Sequence, residues 1–559
     1  MDDFRNYNNS QPSSLKEIIS SANIKLMSSD FDGALEDFFK ALQINKNIKP
    51  IFLLTYFVLS KVKITSENKQ LIREIIYFFL KSNEVLHGSI FHKALKTSKY
   101  SIYENKFNFK YDKKFIDVLD DEVFQLILKK CLLKCFELEK FLILVRKRFL
   151  DFYFHQPKLI SKHSNFLISL AVQCFYNEYI FSVSNEENLL IRRIEEKLKD
   201  QVDESSLIIL SLYKPIHHLN SFKSFIARKR KLSDEFENYK KLTFDNEKTE
   251  KYLLKDIVKH SNINNTTSKK VKSQYEDNPY PRWINTNIPM KQELLNFLKD
   301  TMCNVPLNFI KNFNNNSLNI LIAGCGTGMQ NIKYSGIINA NIIAIDLSAR
   351  SLSYAKRKTD ELGINNIKYL QSDILNTKDL NKSFDIIIST GVLHHMEKPM
   401  DGIKSLLNVL KKHGILFLGL YSDYARKDIT DTRQMIGKDN SNLSDKDIIN
   451  YRNKFKDSNN PKLQRVSKLA DSFCVSGFRD LIFNVKEHNY NLIQIKEIIE
   501  IFNLNFLGFD KNAHQLLINN FKKEYPLNNS EYDLKLWNDF ESLKPDSFIS
   551  MYNFWLTKG

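Results

Sequence analysis

A short apolar run, Leu318 to Ala323, leads without a break into Gly324-Cys325-Gly326-Thr327-Gly328. Glycines admit left-handed backbone and let a ligand approach the main chain closely. A glycine turn after a strand is where nucleotide-like groups sit on parallel sheets. More apolar runs follow: Asn341 to Ile345, closed by Asp346; Ile367 to Leu370, followed by Asp373; and Phe384 to Ser389. The stretches Ala349 to Leu362 and Met400 to Leu410 read as helices, and Ile415 to Leu420 is a fifth strand led by Gly414. Strands and helices alternating through short connections specify a mostly parallel sheet with helices on both faces.

By itself the turn leaves the ligand open between a dinucleotide, a flavin and an adenosyl group. A nicotinamide site favours GxGxxG running straight into a helix of small residues. Here Met329, Gln330 and Asn331 follow Gly328. The two carboxylates say more. Asp346, ending the second strand, can accept both hydroxyls of a ribose, or else cap the helix in front of Ala349. Asp373, ending the third, can accept the amino group of adenine. Together these three strand ends point to an adenosyl ligand.

Before the sheet the chain reads as helical. Phe31, Ala34, Leu35, Phe38, Ala41 and Leu42 recur at helical spacing. Ala34, Phe38 and Ala41 match half of a tetratricopeptide repeat, and no clean repeat period follows. Only 15 Gly and 12 Pro interrupt 559 residues, which favours continued helices, and 41 Phe with 24 Tyr predict aromatic cores. Residues 253–274, rich in Asn, Ser, Thr and Lys, read as an exposed boundary loop. Leu504 to Phe509 and Ser550 to Leu556 read as two late strands, with 551–557 joining the sheet antiparallel.

Composition excludes several classes. Six scattered cysteines form no CxxC pair, which suits reduced thiols in a cytoplasmic compartment. The histidines are scattered as well, so no metal site is expected. The apolar runs fall far below the roughly 20 residues of a membrane span. The acidic start Met1-Asp2-Asp3-Phe4 lacks the apolar core of a signal peptide. A formal net charge of +17 permits acidic partners. The clusters Arg228-Lys229-Arg230-Lys231 and Lys269-Lys270 with Lys272 read first as solvated faces. No RNA-binding module accompanies them, so nucleic acid is not an expected partner.

The glycine turn with Asp346 and Asp373 resembles the class I S-adenosylmethionine-dependent methyltransferases, as does Ser389-Thr390-Gly391-Val392-Leu393-His394-His395 after the fourth strand. The resemblance implies a Rossmann-like α/β core with a seven-stranded, mostly parallel sheet. It implies S-adenosylmethionine as cofactor, S-adenosylhomocysteine as product and no metal. Cofactor contacts would come from Gly324, Cys325, Gly326 and Gly328, from Asp346 and Leu347, from Asp373 and Ile374, and from Thr390. Ile322 stands where the family often has an acid, which leaves the methionine ammonium to carbonyls of the glycine loop and of Ser389 to Gly391. Three further segments are similar to a bacterial subgroup joining a helical, often repeat-bearing N-terminus to such a domain. They are Tyr275-Glu276-Asp277-Asn278-Pro279-Tyr280-Pro281-Arg282-Trp283, Gly419-Leu420-Tyr421-Ser422 and Met551-Tyr552-Asn553-Phe554-Trp555. Within it the likeness is to the rickettsial protein-lysine methyltransferases acting on the outer-membrane protein OmpB.

On that footing the chain divides into four. Residues 1–115 form a helical module with a tetratricopeptide-like segment and a candidate dimer contact, and 116–265 a helical middle domain. Residues 266–425 bind the cofactor, and 426–559 complete the sheet and shape the substrate cleft. The implied acceptor is a lysine amine in unfolded or surface-exposed segments of an outer-membrane protein, with a small molecule or RNA as the alternative. Holding that amine neutral near pH 7.4 costs roughly 4 kcal/mol, which a dry aromatic mouth lowers. The candidate catalytic residues are Tyr421 to orient the amine, His394 facing substrate, and Tyr275 in a lid. Each has ordinary packing as its alternative. Arg282 is set against the methionine carboxylate. Tyr280, Arg479, Glu487 and His488 are candidates for holding the acceptor, with Asp480 beside them. For the polar stretch from Arg479 to His488 an ion-paired surface network is the alternative.

Overall fold

The computed structural model describes residues 13–103, 110–227, 232–312, 317–437 and 443–559. The basic cluster Arg228-Lys229-Arg230-Lys231 lies outside them. The chain forms two compact units: residues up to 175 with 183–236 and 284–286, and residues 176–182 and 237–283 with 287–559.

The described residues of the first unit are helical and aromatic inside. Helix Phe31–Ile44 starts where the Asp30 carboxylate accepts the Gly33 N–H at 3.0 Å, a cap of the usual kind. It buries Ala34, Leu35, Phe38, Ala41 and Leu42 and packs against helix Ser13–Met27. Deeper in, Tyr100 stacks on Phe124 with centroids 5.4 Å apart and meets the edge of Phe141 at 5.1 Å. Such ring pairs add about 0.5–1.5 kcal/mol each beyond their buried area.

The second unit is built on one sheet. Its strands are β1 (Val258–Lys259), β2 (Leu318–Ala323), β3 (Ala340–Asp346), β4 (Ile367–Gln371), β5 (Phe384–Thr390), β6 (Leu410–Tyr421), β7 (Leu504–Phe509) and β8 (Met551–Lys558). They lie in the order 1-4-3-2-5-6-8-7, with only β8 reversed. The expected Rossmann-like core, the helical N-terminal region and the C-terminal extension of strands and helices are all present. The two residues of β1 widen the sheet to eight strands. Both are exposed, so no hydrophobic pattern marks them.

Alternation along the strands sorts two cores. Leu321, Ala323, Ile345, Ile387, Leu416 and Leu418 face one side. Ile320, Ile322, Ile342, Ala344, Ile386, Ile388 and Phe417 face the other, with Trp555. Strands buried on both faces read as continuous Ile-rich runs, as interior parallel strands do. Each fully buried Ile or Leu contributes about 1.5–3 kcal/mol.

The helices that matter for the site are α1 (Thr266–Asp277), α2 (Met329–Ser335), α3 (Ala349–Glu361), α4 (Pro399–Val409), α5 (Lys427–Ile436), α6 (Asp445–Lys456) and α7 (Val475–Phe483). Helix α1 occupies part of the stretch read as a loop. It buries only Ser268 and Val271 and begins where Asn265 accepts the Ser268 N–H, so its sequence carries a cap but almost no apolar stripe. The carboxyl ends of β2, β3, β4, β5 and β6 gather Gly324, Asp346, Ser372, Thr390 and Tyr421 along one edge, where ligands bind in open α/β sheets. No described helix is long and apolar enough to cross a membrane.

Candidate active site

The glycine turn is held by its neighbours. The Gly324 and Cys325 N–H groups donate to the Ile345 carbonyl at 2.8 and 3.0 Å. Gly324 and Gly328 have φ of +77° and +84°. A Cβ on Gly324 would lie 2.3 Å from Val392, and one on Gly328 2.6 Å from Ala355. Both positions therefore exclude larger residues twice over, by backbone and by space. Gly326 is different: a Cβ there would meet only the Tyr280 carbonyl, at 3.5 Å. Cys325 is buried, which pushes its thiol pKa up.

Asp346 ends β3 beside this turn. Its Oδ2 accepts the Gly326 N–H at 2.8 Å and its Oδ1 the Ser348 N–H at 2.9 Å. Desolvation raises its pKa to about 6, with the charge of Glu276 adding to the rise. The capping of α3 falls to others. Glu276 accepts the Ala349 and Arg350 N–H groups at 2.9 and 3.1 Å, and Ser348 accepts that of Ser351 at 3.0 Å. Leu347 contributes its carbonyl to Gln371 at 2.8 Å. Asp373 is buried and accepts the Leu375 N–H at 3.0 Å through Oδ1, beside buried Ile374. At the end of β5, Ser389 Oγ and Thr390 Oγ1 are buried without a partner among the described residues. A Cβ on Gly391 would meet nothing within 4 Å.

The segment from Tyr275 to Trp283 is pinned beside the glycine turn. Trp283 donates its indole N–H to the Thr327 carbonyl at 2.9 Å, Tyr354 donates to the Trp283 carbonyl at 2.7 Å, and Ser348 Oγ donates to the Tyr275 carbonyl at 3.1 Å. The Tyr275 hydroxyl donates to Asp480 Oδ1 at 2.6 Å, and the Asn484 amide bridges both groups at 3.1 and 3.0 Å. Tyr280 donates to Asp471. Burial and then these carboxylates hold both phenols well above their ordinary pKa, so they stay protonated.

Tyr421 leaves β6 between a neutral imidazole and a guanidinium. The His394 ring stacks on one face with centroids 3.6 Å apart, and the Arg426 guanidinium covers the ring at 3.7 Å. Arg426 is locked in turn by two bonds of 2.9 Å to Glu487, which Arg433 also approaches at 3.3 Å. The Arg426 and Glu487 side chains are 4% and 5% exposed. His394 is fully buried and its pKa lies well below the ordinary value, so the ring is neutral. The Tyr421 hydroxyl has no partner among the described residues. Asp480 is close enough to raise the Tyr421 pKa after burial has done so.

Of the acceptor candidates, then, Tyr275, Tyr280, Tyr421 and His394 come together around Asp480 and Asp471. Arg479 turns instead to Asp445 at 2.7 Å and to the Leu443 carbonyl. Glu487 is tied to Arg426. His488 sits at 3.1 Å from the Met396 carbonyl, with its own N–H on the His394 carbonyl. Arg282 is exposed, and its charge acts on half-buried Glu178. Sequence reasoning gave no role to Glu276, Arg426, Asp471 or Asn484. A partial signal existed for Glu276, which stands within the Tyr275 to Trp283 segment.

Against known families, residues 314–469 match the family described as "Methyltransferase domain". This segment is a methyltransferase domain. Use of S-adenosylmethionine, with S-adenosylhomocysteine as product, is consistent with such a domain. Over 200 residues the chain is 30% identical to an uncharacterized protein of Synechococcus sp., covering 34% of this chain and 48% of that one. It is 26% identical to the malonyl-[acyl-carrier protein] O-methyltransferase of Halalkalibacterium halodurans over 24% of this chain and 51% of the relative. The chain spans about half the length of these relatives. Among solved structures, PKMT2 from Rickettsia typhi aligns with a TM-score of 0.35 at 19% identity, over 47% of this chain and 51% of that one.

Proposed function

We propose that the chain is a cytoplasmic protein-lysine N-methyltransferase. Its acceptor on this reading is a lysine in an unfolded or surface-exposed segment of an outer-membrane protein of the OmpB kind. A second copy of the chain is the other partner this reading names.

The residues of the crevice fit the donor. Two buried hydroxyls, Ser389 Oγ and Thr390 Oγ1, lack partners among the described residues at the end of β5. Gly326 and Gly391 leave open space where other residues would fill it. On this reading Asp346 holds the ribose, Asp373 the adenine, and the glycine turn with Ser389 to Gly391 the methionine part. When bound, S-adenosylmethionine supplies an electrophilic methyl group.

The observation that carries the acceptor reading is Tyr421, its ring held by His394 and Arg426 and its phenol within the field of the Asp480 carboxylate. A rigid phenol oxygen can accept an amine N–H and so turn the nitrogen lone pair outward, towards the methyl. Asp480 offers an oxygen, Oδ2, without a hydrogen bond among the described residues, and its charge draws a cationic side chain to the mouth. The neutral His394 and the protonated Tyr275 and Tyr280 add no charge of their own to the mouth. The amine loses its proton to water before it docks, so no dedicated base is needed.

The test is an assay with methyl-labelled donor against envelope protein, total RNA and a small-molecule extract, followed by mass spectrometry. Label on lysines of an outer-membrane protein is the expected result. Label confined to RNA or to small molecules refutes the lysine reading.

A further inference from the structure

Glu541 stands behind Tyr421 and has no part in the donor crevice or the acceptor mouth. It lies on helix Leu534–Leu543 and is fully buried, as are Ser422 and Tyr552. Its Oε1 accepts the Ser422 hydroxyl at 2.8 Å and its Oε2 the Tyr552 hydroxyl at 2.6 Å. An ionised carboxylate can accept from two hydroxyls while donating nothing itself. Among the described residues the one charge that acts on it is Asp423, of the same sign. A buried charge without a cation is expensive, and a neutral side chain fills such a place at lower cost. The carboxylate therefore calls for a role beyond packing.

Ser422 carries its effect to the mouth. While its hydroxyl donates to Glu541, its Oγ accepts the Ala425 N–H at 3.1 Å. Its main-chain N–H donates to the Ser550 carbonyl at 3.0 Å, and its carbonyl accepts the Arg426 N–H at 3.1 Å. Every polar group of Ser422 is thus engaged in the turn that leads from Tyr421 to Arg426. Across β6 and β8, Leu420 pairs with Tyr552 and Tyr421 with Met551. Glu541 therefore ties β8 to this turn just where Tyr421 leaves the sheet, and Arg426 returns from the turn to cover the Tyr421 ring at 3.7 Å.

We propose that Glu541 is the positioning residue for Tyr421 and Arg426, its charged carboxylate fixing the Ser422 turn and, through it, the angle of the phenol towards the acceptor. The proposal rests on the reading that Tyr421 orients the acceptor. Desolvation raises the Glu541 pKa to about 7 against the Tyr552 and Ser422 hydroxyls, and Asp423 adds to the rise. The elements packed against its helix, Leu492–Ile501 and Ser530–Tyr532, bring no charge that acts on it. Once protonated, the carboxyl must itself donate, so one of the two hydroxyls turns away and the hold on Ser422 loosens. Turnover then falls as the pH drops through 7. Stability moves the other way. Because the folded pKa lies above the ordinary range, the group's contribution is full at low pH and is lost as the pH rises through 7.

The test compares the wild-type chain with E541Q and with S422A, which breaks the same link from its other end. Turnover uses saturating S-adenosylmethionine and an unstructured peptide with one central lysine. Hydrogen exchange and melting use the full chain saturated with S-adenosylhomocysteine. In E541Q, kcat lies about tenfold below wild type at about pH 8.5 and about twofold below it at about pH 6. Both proteins share the titration of the amine, so this ratio isolates Glu541. The Ala425 and Arg426 amides exchange faster than wild type in both variants at about pH 8.5, and the difference shrinks towards pH 6. Over the same range wild type loses melting temperature relative to E541Q as the pH rises. A kcat ratio that does not change with pH in either folded variant, or amides that exchange as in wild type, overturns the proposal. Exchange that shifts as expected in a chain that never methylates the peptide refutes the lysine reading and supports the positioning of Tyr421 and Arg426.

Discussion

Acidification is expected to weaken product binding through a single carboxylate, Asp346. Desolvation, aided by Glu276, raises its pKa to about 6, against the pull of the Ser348 and Gly326 N–H groups. A ribose that donates two hydroxyls needs the charged form, so in the complex the group titrates near an ordinary value of about 4. The sign follows: affinity is full above about pH 7 and falls as the pH drops through 6. With those two values, S-adenosylhomocysteine binds about tenfold more weakly at about pH 5 than at about pH 8, and the loss levels off near a hundredfold. Water reaching the half-buried side chain makes both figures upper bounds. Calorimetry across this range measures the slope. At about pH 6 it also measures the release of about half a proton, as an enthalpy that changes with the buffer. The variant D346N cannot titrate and is expected to bind weakly and without a slope. A flat wild-type profile, or a slope that survives in D346N, refutes the ribose role.

Three further substitutions separate donor, acceptor and scaffold. Y421F removes the hydroxyl but keeps the stacked ring, so kcat falls about tenfold to a hundredfold while the affinity for S-adenosylhomocysteine stays. A matching fall in that affinity would move the residue to the donor side. E487Q leaves the Arg426 charge buried and unpaired, at a cost of about 3–5 kcal/mol, read as a drop in melting temperature. An unchanged melting temperature would show that the pair holds nothing together. E276A uncaps α3, costing about 1–2 kcal/mol, and removes one cause of the raised Asp346 pKa. The midpoint of the pH profile is then expected to shift down, and a fixed midpoint counts against the coupling.

The strand ends of the proposed donor side were legible because their signals are local. The glycine turn, Asp346 and Asp373 each end a short Ile-rich strand, and strand identity follows from a few adjacent residues. The acceptor side depends on distant pairs. Tyr275 meets Asp480 and Asn484 more than two hundred residues away, and nothing near Tyr275 announces it. Arg426 and Glu487 are 61 residues apart, each an ordinary charged residue until the fold buries them together. Helix α1 was hidden for another reason. It presents almost no apolar stripe, so composition makes it look like a loop although its cap is present.

The boundary of the family match divides the chemistry in the same place. The matched segment, residues 314–469, contains the glycine turn, both acids, His394, Tyr421 and Arg426. Tyr275 and Tyr280 precede it, and Asp471, Asp480, Asn484 and Glu487 follow it. On the proposed reading the matched segment thus holds the donor crevice and the base of the acceptor mouth. The carboxylates and phenols that close the mouth come from outside the match. Relatives that share only the matched segment therefore inform the donor and leave the acceptor open. Exchanging residues 471–489 for those of an enzyme with another acceptor is expected to change which acceptor is methylated while leaving S-adenosylhomocysteine affinity in place. A chimaera that keeps the original acceptor would place the choice within the matched segment.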